Sequence, residues 1–168
     1  MKVFVLSLAL VASFAASAAF DSATWLGKRE VLSREADRLR AAYTNFAAQA
    51  VHPSESVTIT LEQFPDGAVK TELFAKEAVF FRLEHFVWAR GLTIRKFARD
   101  GAVTANIQAD TCIVDQTTKS GWCPGHATVL REGSRFEGDG VYFSSPESYI
   151  SVYSNSDLRS RDTKMEAL

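Results

Sequence analysis

The chain has 168 residues, a formal net charge of −1 and 46% hydrophobic residues, the composition of an ordinary folded domain. No lysine- or arginine-rich tract stands out from its surroundings, which disfavours a nucleic-acid partner. Two cysteines and three histidines leave little material for a metal or redox centre.

The first element is the segment MKVFVLSLALVASFAASAAF. One positive charge at Lys2 precedes an uncharged apolar run, and Ala16-Ser17-Ala18 supplies the small-x-small arrangement that signal peptidase reads. Residues 1–18 are thus expected to form a secretory signal. The same run is close to the roughly 20 residues needed to span a bilayer, so an uncleaved inner-membrane anchor is the alternative. Either way the remaining chain, about 150 residues, is expected in an oxidising compartment and suffices for one core.

Residues 19–53 contain the second element. From Ser22 to Ala50 there is no proline and only one early glycine, and Ala, Leu, Arg and Glu dominate. Trp25, Leu32, Leu39 and Phe46 recur at heptad spacing, with Ala36, Tyr43 and Ala50 as a second row, so a long amphipathic helix with one apolar stripe is predicted. The stripe needs a partner, either the protein's own sheet or a helix of another protein. His52-Pro53 ends the element.

Residues 54–162 change texture to short alternating runs broken by PDG, RDG, EGS and GDG, which are strand and turn signals. A repeat runs through them. DGAVKTELFAKEAVFF from Asp66 and DGAVTANIQADTCIVD from Asp100 align at an offset of 34 residues, which also brings Trp88 onto Trp122 and Gly91 onto Gly125. After one inserted residue, LTIRK (Leu92 to Lys96) resumes against ATVLR (Ala127 to Arg131). A partial third copy is expected to begin at Asp139. Each copy reads as a hairpin. Folding the first about its turn sets Val79 against Trp88, Ala75 against Leu92, Leu73 against Ile94 and Glu72 against Arg95. Folding the second sets Ile113 against Trp122 and Cys112 against Cys123, with a bulge expected near Pro124-Gly125-His126. With strict alternation, one face would be continuously apolar. Residues 163–168 form a short tail.

The cysteines admit three readings. A metal site with His126 lacks an obvious fourth ligand, and no βαβ pattern supports a thioredoxin-like role. Directly opposed partners in an oxidising compartment are instead expected to form a Cys112–Cys123 disulfide, closing a loop of about a dozen residues for roughly 3 kcal/mol. No P-loop or nucleophile elbow is present, no cofactor motif appears, and His52, His85 and His126 have no evident catalytic partners, so an enzyme is not expected.

The Gly-rich turns before each hairpin, Ala109-Asp110 with Val114-Asp115, Gly125-x-Ala127-x-Val129, and the closing EGDGVYFSSPESYISVYSNSDL together resemble the periplasmic lipopolysaccharide-transport proteins, of the LptC type with the OstA (LptA-like) type as its relative. The resemblance covers about Ser56 to Asp162. It implies a mainly β fold, a folded-over β-jellyroll open along one side, that shelters acyl chains of lipopolysaccharide or a related lipid. It also implies edge-strand pairing with other β-jellyroll transport proteins and a link to inner-membrane ABC transporter components. The lipid contacts would then come from Leu73, Val79, Trp88, Leu92, Ile94, Ile107, Ile113, Trp122 and Val129, which a closed β-sandwich would equally need as core. An exported structural or interaction protein of the cell envelope, without lipid cargo, is the other reading of the same strands.

Overall fold

The computed structural model describes residues 22–160. The expected signal at 1–18, the tail at 163–168 and the side chain of Trp25 lie outside the described residues. Helix α1 (Ser22–Ala47) is followed by seven strands: β1 (Ser54–Gln63), β2 (Val69–Phe81), β3 (Phe86–Phe97), β4 (Val103–Asp115), β5 (Ser120–Arg131), β6 (Ser134–Ser144) and β7 (Tyr149–Ser160). They form one antiparallel sheet in sequence order, β1-β2-β3-β4-β5-β6-β7. The fold is mainly β, an open sheet with one helix.

The helix stops slightly before the predicted Ala50. Gln49 and Ala50 donate backbone hydrogen bonds only three residues back, to Phe46 and Ala47, and His52 takes a positive φ of 54° ahead of Pro53. The chain thereby reverses into β1.

The 34-residue repeat is a structural repeat. Both Asp-Gly-Ala-Val copies build the same turn: Asp66 Oδ1 accepts from Ala68 N at 3.1 Å and Asp100 Oδ1 from Ala102 N at 2.9 Å. Gly67 and Gly101 occupy the left-handed region at φ 86° and 83°, which explains why glycine recurs there. The predicted pairings of Leu73 with Ile94, Ala75 with Leu92, Val79 with Trp88 and Ile113 with Trp122 are observed. Glu72 and Arg95 form their cross-strand ion pair at 3.2 Å. The expected third copy is not equivalent: Asp139-Gly140 lies inside β6, and the turn before that strand is Glu132-Gly133.

The expected single apolar face is corrected by the structure. Alternation breaks along a line crossing the sheet. Lys76 and Gly91 are skipped between flanking pairs, and the register is interrupted between Ala109 and Ile113 on β4, Cys123 and His126 on β5, and Glu137 and Asp139 on β6. Gly91 and Gly140 on this line have φ of 61° and 67°. One out-of-step residue moves every side chain beyond it to the other face. Leu73, Leu92, Ile94, Ile107 and Val129 therefore share an interior with Ala78, Ala89, Cys112, Cys123 and Val141. Val79, Trp88, Ile113 and Trp122 face the other way, against Leu32, Ala36, Leu39 and Ala42 of α1.

The sheet bends along the same line, so its two halves face each other over the first cluster. Contacts between the near ends of β1 to β5 and the β6–β7 turn prove the bend. Ser145 Oγ donates to Glu62 Oε2 at 2.5 Å and lies 3.1 Å from Thr71 Oγ1, while Lys96 Nζ donates to Ser148 Oγ at 2.5 Å. The result is three layers: helix, helix-bearing half of the sheet, and distal half.

Helix α1 packs on the protein's own sheet, one of the two partners expected for its stripe. Leu39 is fully buried, and Phe46 lies against Phe81 and Phe86 with ring centroids 4.6 and 5.3 Å apart. Arg38 Nη2 reaches Asp115 Oδ2 at 2.5 Å and Glu35 Oε1 at 2.7 Å. Tyr43 donates to Thr111 Oγ1 at 3.0 Å. Among the described residues no helix is long and apolar enough to cross a membrane.

Candidate lipid-binding cleft

The bend leaves a cavity of about 320 Å³ where the β6–β7 turn comes back over β2 to β5. Its apolar wall comes from Ile94, Ile107, Phe143 and Ile150, its mouth from Lys96, Thr104, Arg131 and Ser148, and the buried hydroxyls of Thr71 and Ser145 complete the lining. Ile94 and Ile107 are cross-strand partners on β3 and β4, and they carry the apolar wall toward the shared interior. Phe143 reaches the cavity because it stacks over Gly121, where a Cβ would come within 2.3 Å of its ring. Glycine on β5 thus sets the position of an aromatic wall.

The mouth is polar and cationic. Lys96 and Arg131 each pair with Ala105, which lies between them on β4, so their backbones are two strand spacings apart, roughly 10 Å. Arg131 Nη1 donates to the carbonyl of Ser148 at 3.0 Å. Burial lowers the pKa of Lys96, with Lys70 and Arg131 adding to the effect and Glu62 opposing it. For Glu62, burial works upward. Hydrogen bonds from Ser145 and Thr71 and the charges of Lys70 and Lys96 outweigh it, holding the carboxyl below its ordinary value. Lys70 stands 3.6 Å from Glu62. Glu62 is thus engaged with Lys70, Thr71 and Ser145, while the hydrogen-bond partner of the Lys96 ammonium is a hydroxyl.

An acyl chain on the apolar wall would leave water at about 0.8 kcal/mol per CH₂. A volume of about 320 Å³ is at the lower end for ligand pockets, about 300–1,000 Å³. The cavity therefore suits part of an amphiphile, a chain segment beside its polar head, and larger occupants require the halves to part.

Of the nine residues expected to contact lipid, Ile94 and Ile107 line the cavity. Leu73, Leu92 and Val129 lie in the same interior, almost fully buried. Val79, Trp88, Ile113 and Trp122 form the seat of α1 instead. Lys96, Arg131, Phe143 and Ile150 were not among the expected residues. The repeat did carry a signal for the two cations, because LTIRK and ATVLR align Lys96 with Arg131.

The cysteines are opposed in the interior as expected, with Sγ atoms 3.0 Å apart, and both are free thiols in this structure. Burial pushes the Cys112 thiol up. The matching positions of the first copy hold the cross-strand pair Ala78 and Ala89. His126 is exposed, with Nδ1 3.3 Å from Asp139 Oδ1, and among the described residues no cluster of three His, Cys, Asp or Glu side chains could hold a metal.

Comparison with solved structures finds chains of similar fold. A crystal structure of LptH from Pseudomonas aeruginosa, described as the LptA-homologous periplasmic component of the conserved lipopolysaccharide transport device, superposes with a TM-score of 0.47 at 13% identity. The overlap covers 64% of this chain and 92% of that one. No family model matches the chain, and no curated protein matches it.

Proposed function

We propose that this protein is an exported carrier that shelters acyl chains of lipopolysaccharide or a related envelope lipid between the halves of its bent sheet. The observation that carries this reading is the cleft itself, with Ile94, Ile107, Phe143 and Ile150 on its wall and a hydrophilic mouth. The motif resemblance over Ser56 to Asp162 supports the same class. A carrier needs continuous apolar surface with little directional chemistry, so that a chain can slide, and the interior behind Ile94 and Ile107 offers Leu73, Leu92 and Val129. In this reading the protein acts in the periplasm, with inner-membrane association if the signal-like start is retained. Partners in this reading are β-jellyroll transport proteins and inner-membrane ABC transporter components. They would meet the outward edges of β1 and β7, the two ends of the strand order.

Those same edges favour a second reading, an interaction protein of the envelope that pairs strands with partners and carries no lipid. A photo-reactive residue at Ile94 or Ile107, activated in cells, separates the two. Lipid adducts identified by mass support the carrier, and protein adducts alone sink it in favour of the interaction protein.

A further inference from the structure

Lys96 and Arg131 close the strands β3 and β5 at equivalent places in the 34-residue repeat, and both project into the mouth of the cleft. Between them β4 supplies Ala105, a side chain too short to block the gap. Thr71, Thr104, Ser145 and Ser148 also line the cavity; Thr71 and Ser145 donate to Glu62 and Thr104 to the Lys96 carbonyl. Two cations astride a gap with an apolar wall below match an anionic group carried on a hydrocarbon chain. Of the neighbouring acids, Glu62 is held by Ser145, Thr71 and Lys70. Glu132 lies 3.5 Å from the Arg131 Nε, is mostly exposed, and leaves the Nη1 side of that guanidinium on a neutral carbonyl.

We infer that Lys96 and Arg131 receive the phosphate-type head group of the amphiphile whose chain lies on Ile94 and Ile107. This assignment rests on the carrier reading above and adds to it the charge class of the cargo. The bonds that Lys96 and Arg131 make to Ser148 are to a hydroxyl and a carbonyl. Those bonds are ionised at the donor alone, whereas with phosphate both partners are charged and the ion-pair attraction is added to the hydrogen bonds. An entering head group therefore competes with Ser148 for both donors and loosens the Ser148 end of the β6–β7 turn, while Ser145 stays clasped to Glu62.

The test uses the purified intact chain and three probes below their micelle-forming concentrations: decyl phosphate, decanol and inorganic phosphate. Calorimetric titration is expected to show decyl phosphate binding at least about tenfold tighter than decanol. In Lys96→Met with Arg131→Met that preference should fall to about twofold or less, and Lys96→Arg with Arg131→Lys should restore it. Hydrogen exchange at Ser148 should quicken with decyl phosphate and not with decanol. Equal binding of the two alkyl probes to the unaltered chain, or a preference that survives the double Met change, overturns the inference while leaving the carrier reading intact. If the double Met chain fails to fold, the charge-retaining pair decides, since loss of preference there also overturns it. Inorganic phosphate binding as tightly as decyl phosphate marks a free-anion site and overturns it too. Failure of both alkyl probes overturns the carrier reading with it.

Discussion

Glu62 on β1 accepts a hydrogen bond from Ser145 Oγ at 2.5 Å, joining the first strand to the turn between the last two. Thr71 Oγ1 donates to the same carboxylate oxygen at 3.0 Å. This is a clasp across the open side of the sheet, made where no strand pairing holds the halves together. A hydrogen bond to a charged group contributes about 1.5–3 kcal/mol. Glu62→Ala is expected to cost about that much in chemical denaturation and to speed hydrogen exchange in β1 more than in β4. Uniform acceleration across the sheet would show that Glu62 stabilises the fold without acting as a clasp.

The clasp and the helix clamp share a pH signature. Hydrogen bonding to Arg38 holds the Glu35 carboxyl below the ordinary 4.5, against the opposing effect of burial, and Glu62 is likewise held below 4.5. A depressed folded-state pKa gives stability that is present above the unfolded value and lost as pH falls through the folded value. Stability should therefore be flat from pH 7 to about 5 and decline below about 4.5. Glu62→Gln and Glu35→Gln should each flatten the decline, as read from denaturation midpoints between pH 3 and 7. An unchanged slope in both would contradict the assigned pairings.

Leu39 of α1 is fully buried against the sheet, in the cluster that holds Trp88 and Trp122. Leu39→Ala should cost about 2–5 kcal/mol, the range for emptying a core leucine site. Because both indoles lie in that cluster, their fluorescence should shift before the sheet unfolds. A cost below about 1 kcal/mol would mean that the stripe serves a partner rather than this sheet.

At Gly121 an added methyl meets the Phe143 ring at 2.3 Å and the Ile113 carbonyl at 3.1 Å. Gly121→Ala is expected to destabilise by about 1–3 kcal/mol through overpacking and to push Phe143 into the cleft. Weaker decyl phosphate and decanol binding by a folded Gly121→Ala chain would follow. Gly125→Ala, with open space around the new methyl, is the matched control.

On the exported-carrier reading proposed above, Cys112 and Cys123 are expected to be joined as a disulfide, since the thiols face each other in the interior. Alkylation under denaturing conditions should find no free thiol in protein taken from the periplasm. Two alkylated cysteines would overturn the pairing. The double Ala change should still fold, because the first repeat copy builds the same site from Ala78 and Ala89.

Much of the hairpin register was readable, because Glu72 with Arg95 and Val79 with Trp88 follow from symmetric pairing about a turn. The repeated Asp-Gly-Ala-Val turn was equally plain, since Asp66 and Asp100 make the same local bond. The bend was not. Its mark on β3 is Gly91 at positive φ, one residue among several glycines, and alternation alone assigned Trp88 and Ile94 to one side. The inserted residue near Pro124 pointed to the interruption on β5, but nothing in the spacing of β2 or β4 announces that the same line crosses them. The cations of the cleft were half legible. Their alignment in the repeat was visible, whereas their approach to Ser148 depends on the bend that strand patterns do not encode.

The most direct measurement places one photo-reactive residue at Ile107 and, in a second chain, at Ile113, and identifies the adducts formed in living cells. The two positions are six residues apart on β4, one lining the cleft and the other under α1. The account predicts lipid adducts from Ile107 and intramolecular links to α1 from Ile113. Lipid adducts from Ile113, or none from Ile107, would contradict it.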